Sequence, residues 1–225
     1  MLTLTHLAGF GAGGSTGPLA MAYGGAGVQT ADGSTMTVSG LSIGAADDSR
    51  RVIAAIAWNA GSNQTVSSAT IGGVAATIVV QAMSTTGSAG SALLIASVPS
   101  GTTADVAVTF SGSVARMTAA TYRVVNLNSA TAYATANDTE AASGEVTGSL
   151  NVPAGGFVVA VASTSDGASW SWTAGPTEDS DQYTEAQLAG SSASASYASA
   201  QTPLTVTATC ASGTRASLVA ASWGN

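Results

Sequence analysis

The chain is patterned in short apolar runs of Val, Ile, Ala and Thr that are separated by Gly, Ser, Asn or Pro. β-Branched residues favour strands, and Gly and Pro favour the turns between them. Residues 51–58 read RVIAAIAW, an almost continuous apolar run. Such a run predicts a central strand that is buried on both faces.

Other segments alternate between apolar and small or polar residues, which predicts half-buried strands with one face in a core. The residues at 71–74 (IGGV) predict a two-residue hairpin, and Asp32-Gly33 predicts a second hairpin. Roughly twelve strands at this spacing indicate an all-β fold, a single antiparallel β-sandwich of jelly-roll type. The alternating segments are residues 105–110 (DVAVTF), 157–162 (FVVAVA) and 204–209 (LTVTAT).

Two parts follow from this pattern, a β-sandwich domain over residues 20–225 and a glycine-rich N-terminal arm over residues 1–19. The arm has too few apolar side chains to fold alone. It either adds a strand to a partner's sheet edge or is a frayed terminus. Residues 134–148 are polar and acidic, as expected of a crossover between sheets or of a domain boundary. The apolar residues that would anchor the arm are Leu2, Leu4, Leu7 and Phe10.

The sequence contains a weak internal repeat of two similar segments. Pro99 precedes DVAVTF and an apolar strand that ends near Tyr122, and Pro203 precedes LTVTAT and an apolar strand that ends at Trp223. Both segments are interpreted as a hairpin after a proline. Since any β-sandwich repeats such hairpins, ordinary repetition is favoured over a relationship between the two segments.

The amino-acid composition excludes several classes of function. Hydrophobic residues make up 45% of the chain and supply a core, whereas charged residues make up only 8%. A surface of Ser, Thr, Ala, Gly and Asn suits a protein that packs permanently against neighbours, and we expect a homo-oligomer. The net charge is −7 and there is no Lys, which argues against nucleic acid and against anionic membranes. Without a basic leader or a long apolar run, we expect a soluble chain made in the cytoplasm.

The chemistry-bearing residues do not assemble into a familiar catalytic set. His6 is the only histidine and Cys210 the only cysteine, too few for a usual zinc site. Residues 13–17 match the G-x-S-x-G motif, but no histidine follows them as the hydrolase order requires. We therefore predict a protein that is not an enzyme, with no catalytic residues, no metal site and no cofactor.

One acidic cluster leaves alternatives open. Glu178, Asp179, Asp181 and Glu185 follow Gly175-Pro176. The favoured interpretation is a solvated acidic loop. Part of a calcium site is a second interpretation, because calcium takes six to eight oxygens, and a carboxylate pair for glycoside hydrolysis is a third.

Trp170 and Trp172 alternate, so both side chains lie on one face of their strand. With Tyr183 they form either a platform that stacks on sugar rings, with a host-surface glycan as the partner, or an ordinary core or interface cluster. Packing in a core or interface is favoured.

Several segments resemble, in order and spacing, an uncharacterised family of structural virion proteins in alphaproteobacterial tailed phages, prophages and phage-like particles. The first is residues 41–53 (LSIGAADDSRRVI), and the resemblance spans roughly residues 36–223. The others are residues 66–76 (VSSATIGGVAA), 98–110 (VPSGTTADVAVTF) and 152–160 (VPAGGFVVA).

The resemblance implies a structural role in a virion and no catalytic residues. The expectation is a capsid decoration, cement or head-spike protein on the outer capsid surface, bound to the major capsid protein or to other virion proteins. The alternative is a receptor- or glycan-binding module of a tail fibre or tail tip.

Overall fold

The computed structural model describes residues 17–84, 88–165, 168–184, 188–211 and 215–225. The described residues form strands and no helix, which confirms the all-β prediction. No segment among them is a helix that would span a membrane. The predicted arm anchors Leu2, Leu4, Leu7 and Phe10 lie outside the described residues, and the first strand begins at Ala20.

The first half of the described chain contains nine strands. They are β1 (Ala20–Gln29), β2 (Gly33–Ser42), β3 (Arg51–Asn59), β4 (Val66–Ile71), β5 (Val74–Ala75), β6 (Thr77–Met83), β7 (Ala89–Ser97), β8 (Thr103–Val114) and β9 (Arg116–Val125). Sheet A has the strand order β1-β9-β3-β7-β6, and sheet B has the order β2-β8-β4-β5. All the strand pairs are antiparallel, which is the geometry expected where short turns join the strands.

The second half repeats this plan with eight strands. They are β10 (Ala134–Glu140), β11 (Glu145–Val152), β12 (Phe157–Thr164), β13 (Trp170–Ala174), β14 (Thr177–Thr184), β15 (Leu188–Ser196), β16 (Gln201–Cys210) and β17 (Ala216–Trp223). Sheet C has the strand order β10-β17-β12-β15-β14, and sheet D has the order β11-β16-β13. Residues 126–133 connect the two halves.

The strand pairs are nested in both halves. In the first half β1 pairs with β9, β2 with β8, β3 with β7, and β4 with β5. In the second half β10 pairs with β17, β11 with β16, and β12 with β15. The chain therefore follows the same path twice and forms four sheets, where the sequence predicted one two-sheet sandwich.

The weak repeat after Pro99 and Pro203 corresponds to equivalent strands in the two halves. Strands β8 and β9 close the first half, and β16 and β17 occupy the same places in the second half. The segments are not hairpins, however, because β8 and β9 belong to different sheets, as do β16 and β17. The prediction of two hairpins after proline is wrong.

Three hydrophobic clusters stack the sheets in the order B, A, C, D. One cluster joins sheets A and B, a second joins A and C, and a third joins C and D. Because sheets A and C are covered on both faces, their central strands need apolar side chains at every position. The prediction of a doubly buried strand at residues 51–58 is confirmed, since residues 52–58 are at most 2% exposed. The prediction of a half-buried strand at residues 157–162 is wrong, because β12 is buried throughout.

Three further local predictions have clear outcomes. The hairpin at residues 71–74 is confirmed, since Ile71 pairs with Val74. The turn at Asp32 does not close a hairpin, because β1 and β2 belong to different sheets. The prediction of a crossover between sheets at residues 134–148 is confirmed, because the chain passes there from β10 of sheet C to β11 of sheet D, although most of these residues lie in the two strands. They read as polar because both are edge strands with one side in water.

A buried arginine holds the loops at one end of the first half. Arg50 is fully buried, and its guanidinium donates to six backbone carbonyls rather than to a carboxylate. The planar fork of arginine suits such a cage, because it offers five N–H donors in fixed directions. The acceptors are the carbonyls of Val98 at 2.6 Å, Ile43 at 3.3 Å, Gly44 at 2.8 Å, Ala45 at 2.9 Å, Ser100 at 2.6 Å and Gly101 at 2.9 Å.

Sheets A and C meet through small residues and a buried serine cluster. Ser91 of sheet A lies 2.7 Å from the hydroxyl of Ser217 and 3.2 Å from that of Ser163, both in sheet C. Ser163 and Ser217 are 2.9 Å apart. All three are fully buried, so these bonds satisfy hydroxyls that water cannot reach. At Gly190 an added Cβ would lie 2.7 Å from that of Ala57, which shows how closely the two backbones approach.

Candidate functional site

The candidate aromatic and acidic residues lie on the consecutive strands β13 and β14, which belong to sheets D and C respectively. Gly175 at the turn has φ +87° and would place a Cβ 2.6 Å from the carbonyl oxygen of Thr205, so this position requires glycine. The prediction of a solvated acidic loop after Gly175-Pro176 is wrong, since Thr177–Thr184 forms the edge strand β14 of sheet C. Glu185 lies outside the described residues.

The two tryptophans share a face, as their spacing requires, and that face points into the third cluster, between sheets C and D. Trp170 is 4% exposed, and its indole N–H donates to the carbonyl oxygen of Ala189 at 3.1 Å. Trp172 is partly buried, and its indole N–H donates to the hydroxyl of Ser191 at 2.8 Å. Trp170 is therefore a core residue, and only Trp172 keeps an edge toward solvent.

An open groove of about 470 Å³ is lined by residues 170–178, which comprise β13, the turn and the start of β14. Glu178 lies 3.3 Å from the hydroxyl of Ser191, which accepts from the Trp172 indole and has the carbonyl oxygen of Ser180 as a nearer acceptor at 2.9 Å. Tyr183, on the same strand as Glu178, is 54% exposed. The groove thus offers one aromatic edge, one carboxylate and several hydroxyl and backbone groups to a ligand.

A bulge in β14 sends neighbouring carboxylates to opposite faces of sheet C. The pairing with β15 shifts between Glu178 and Ser180. Asp179 faces sheet A, where it accepts a hydrogen bond from the phenol of Tyr122 at 3.1 Å. Asp181 faces sheet D, where it accepts from the backbone N–H of Trp170 at 3.1 Å.

Burial raises the pKa of all three carboxyls on this strand. For Glu178 the nearby charge of Asp181 adds to the effect of burial on the pKa. Hydrogen bonds from Ser194 and Tyr122 partly offset the raised pKa of Asp179, and the Trp170 N–H partly offsets that of Asp181. Burial and the charge of Asp179 together raise the pKa of Tyr122 well above its usual range. The folded chain therefore binds protons here more readily than the unfolded chain does.

The described carboxylates form no metal cluster, and two of them lie on opposite faces of sheet C. Within the described ranges no three His, Cys, Asp or Glu side chains converge as metal ligands would. Asp179 and Asp181 face different sheets, so these two cannot together flank one scissile bond as glycoside hydrolysis requires, whereas Glu178 lies close enough to Asp181 for that charge to raise its pKa. The groove suits hydrogen bonding to a polar ligand.

Sequence reasoning missed the polar residues that organise these parts of the chain. Ser191 and Tyr122 lie in ordinary strands, and only their tertiary neighbours reveal what they do. The sequence leaves open whether Arg50 and Arg51 pair with Asp47 and Asp48 or contact another chain. In the structure Arg123 pairs with Asp47 at 3.8 Å instead.

Comparison with known proteins adds little. No protein-family model matches the chain, and no curated protein matches it. Among solved structures the chain shows a faint similarity to an anti-sigma factor domain-containing protein from Clostridium clariflavum. The identity is 10% and the TM-score 0.22, over 82% of this chain and 77% of that chain. A TM-score this low carries no argument about fold or function.

Proposed function

We propose that this chain is a non-enzymatic structural protein of a phage-like virion, built from two jelly-roll-type sandwiches in tandem. The observation that carries the proposal is the nested strand pairing of both halves, in which the first strand lies beside the last. In a jelly roll, nested antiparallel strand pairs are folded over to form two packed sheets. This architecture is common in viral capsid and lectin domains.

Burial and composition support a structural role. Four stacked sheets with three apolar clusters make a rigid body, and its polar surface carries few charges. Such a surface can lie permanently against neighbouring subunits without a large cost in ion desolvation. We assign the chain to the outer capsid surface, as a decoration, cement or head-spike protein that contacts the major capsid protein.

Cryo-electron microscopy of purified particles tests this assignment. The expected result is density for the four-sheet body repeated over the capsid lattice. Particles produced without the gene for this chain are the control. They should keep the shell and lack that density. Absence of the chain from particles would refute the virion role, and density at the tail tip alone would refute the capsid location.

A receptor- or glycan-binding role is the second candidate, and the groove beside Trp172 favours it. Sugar rings stack on aromatic faces, and carboxylates such as Glu178 accept bonds from hydroxyls. A glycan array with the wild-type chain should detect binding that Tyr183→Ala and Trp172→Ala both reduce. Tyr133→Ala is the matched control, since Tyr133 is a 61% exposed tyrosine that lies on neither β13 nor β14. Equal binding by all four proteins, or no binding, would count against this role.

A further inference from the structure

In the first half of the described chain, the side chain of Gln81 joins sheet A to sheet B. Gln81 lies on β6 of sheet A and bonds to the backbone of Val66, the first residue of β4 in sheet B. Its side-chain oxygen accepts from the Val66 N–H at 2.9 Å, and its side-chain amide donates to the Val66 carbonyl oxygen at 3.3 Å. Because an amide is both donor and acceptor, one glutamine satisfies both backbone groups and closes this side of the sandwich.

Asp181 holds the equivalent position in the second half. In each half a row of paired residues crosses the inner sheet from its edge strand. The row in sheet A is Gln81, Ala92 and Ile56, and the row in sheet C is Asp181, Ser191 and Ala162. In both rows the second member is the fourth residue of its strand, β7 or β15, and the third member is the sixth residue, of β3 or β12. Asp181 therefore stands where Gln81 stands in the first half.

The carboxyl of Asp181 makes one of the two bonds that the Gln81 amide makes. Its Oδ2 accepts from the backbone N–H of Trp170, the first residue of β13, at 3.1 Å. Its Oδ1 is buried and has no hydrogen-bond partner among the described residues. Because the N–H and C=O of one residue in a strand point to the same side, the Trp170 carbonyl is directed toward Asp181 as well. An ionised carboxyl has no proton to donate to that carbonyl, whereas a protonated carboxyl has one.

No positive charge faces Asp181 from the described strands that pack against β14. β13 and β15 carry no titratable side chain. On β14 itself Tyr183 shares the face of Asp181, and the pKa of Glu178 is raised by burial and by the charge of Asp181. The other titratable and charged groups lie on the far face of sheet C, and they are Asp179 of β14, Tyr23 of β1, and Arg116, Tyr122 and Arg123 of β9. A proton is therefore the group that can join the second oxygen of Asp181 to the Trp170 carbonyl.

We propose that Asp181 is a proton-controlled clasp between β13 and β14, at the groove beside Trp172. With its proton bound, Asp181 donates from Oδ1 to the Trp170 carbonyl oxygen and makes both bonds that Gln81 makes in the first half. Without the proton, two acceptor oxygens face each other, and the two strands separate more readily. Residues 170–178 line the groove, so the proton controls how wide the groove opens. The clasp does not depend on what the groove binds.

The direction of the pH dependence follows from which form binds the proton more tightly. Burial raises the pKa of Asp181, and hydrogen bonds from the Trp170 N–H and the Ser169 side chain offset part of this rise. When the strands separate, Asp181 meets water and its pKa returns toward the ordinary value. The clasp is therefore fully formed below the ordinary carboxyl pKa, and it weakens as the pH rises through the raised pKa of the closed form.

Hydrogen–deuterium exchange of the full chain tests the clasp. After correction for the intrinsic effect of pH, the backbone N–H groups of β13 should exchange about tenfold faster at about pH 7 than at about pH 4. Strand β4 in the same sample is the internal reference, because the amide of Gln81 does not titrate. A change in β13 no larger than the change in β4 would overturn the proposal.

Two variants of β14 assign the effect to one carboxyl. Asp181→Asn supplies a donor and an acceptor at every pH, so its β13 should stay equally protected at both pH values. Asp179→Asn is the matched control, since it makes the same change on the other face of the same strand and should keep the wild-type response of β13. Equal responses in wild type and Asp181→Asn would refute the assignment to Asp181.

The reciprocal variant Gln81→Glu moves the clasp to the first half. It keeps the acceptor for the Val66 N–H and replaces the donor by an oxygen that titrates, so β4 should gain the pH dependence that β13 has in the wild type. Unchanged exchange of β4 in a folded Gln81→Glu protein would also count against the clasp, and Asp181→Asn decides the question if Gln81→Glu does not fold. None of these measurements uses a glycan or a virion, so the clasp and the proposed functions fail separately.

Discussion

Replacement of Arg50 by methionine should destabilise the fold more than any other change of a charged residue. The substitution removes a fully buried guanidinium and leaves six backbone carbonyls without their donor. Each hydrogen bond to a charged group contributes about 1.5–3 kcal/mol to stability. Part of the loss of these bonds is offset, because the variant no longer has to remove a cation from water on folding. We expect the free energy of unfolding to fall by about 3–5 kcal/mol, a loss typical of a broken buried network.

Arg51→Met is the matched control, because Arg51 is the next residue and makes one hydrogen bond at 3.3 Å, to the carbonyl oxygen of Leu127. Its loss should cost less than about 1 kcal/mol. Denaturation in urea, followed by tryptophan fluorescence, measures both variants. Arg50→Lys should be intermediate, because an ammonium has three donors and no planar fork. If Arg50→Met lay within about 1 kcal/mol of wild type, the carbonyl cage would not be a stabilising network.

Three other changes have definite expected outcomes. Gly90→Ala would place a methyl group inside the Trp58 ring and should cost about 1–3 kcal/mol in urea, whereas Gly61→Ala meets nothing and should be neutral. Ser217→Ala should cost about 1 kcal/mol, because it removes two buried hydrogen bonds while Ser91 and Ser163 keep the bond between them; a neutral result would mean that this remaining bond satisfies both hydroxyls. Asp179→Asn keeps an acceptor for Tyr122 and should raise stability at pH 7. A raised carboxyl pKa penalises the folded state above that pKa, so wild-type stability should rise as pH falls from 7 toward the ordinary carboxyl range. Equal pH dependence in wild type and Asp179→Asn would contradict this assignment.

The sequence identified most clearly the strand that is covered by other sheets on both faces. Residues 52–58 are apolar at every position, and only a doubly covered strand needs that pattern. Residues 157–162 misled because large and small apolar residues alternate, and alanine on the outer face was taken for exposure. In the structure that face packs against a neighbouring sheet, which calls for small side chains.

The duplication was harder to see because the halves share a path and not a sequence. Pairing order depends on which strands meet in space, and apolar patterning alone does not encode it. The acidic strand β14 was also misread, since carboxylates on an edge strand resemble those of a loop when only composition is considered. The spacing of Trp170 and Trp172 correctly predicted that their side chains share one face of the strand. It did not predict that Trp170 is more deeply buried than Trp172.

The connection at residues 126–133 has a consequence for how the two sandwiches hold together. Because one chain supplies both sheet A and sheet C, their association is intramolecular and has a high effective concentration that dilution cannot lower. Two separate subunits would have to keep matching surfaces to find each other. Joined in one chain, the halves need not present the same surface: residues 17–125 carry four arginines and four aspartates, whereas residues 126–225 carry one arginine and eight carboxylates.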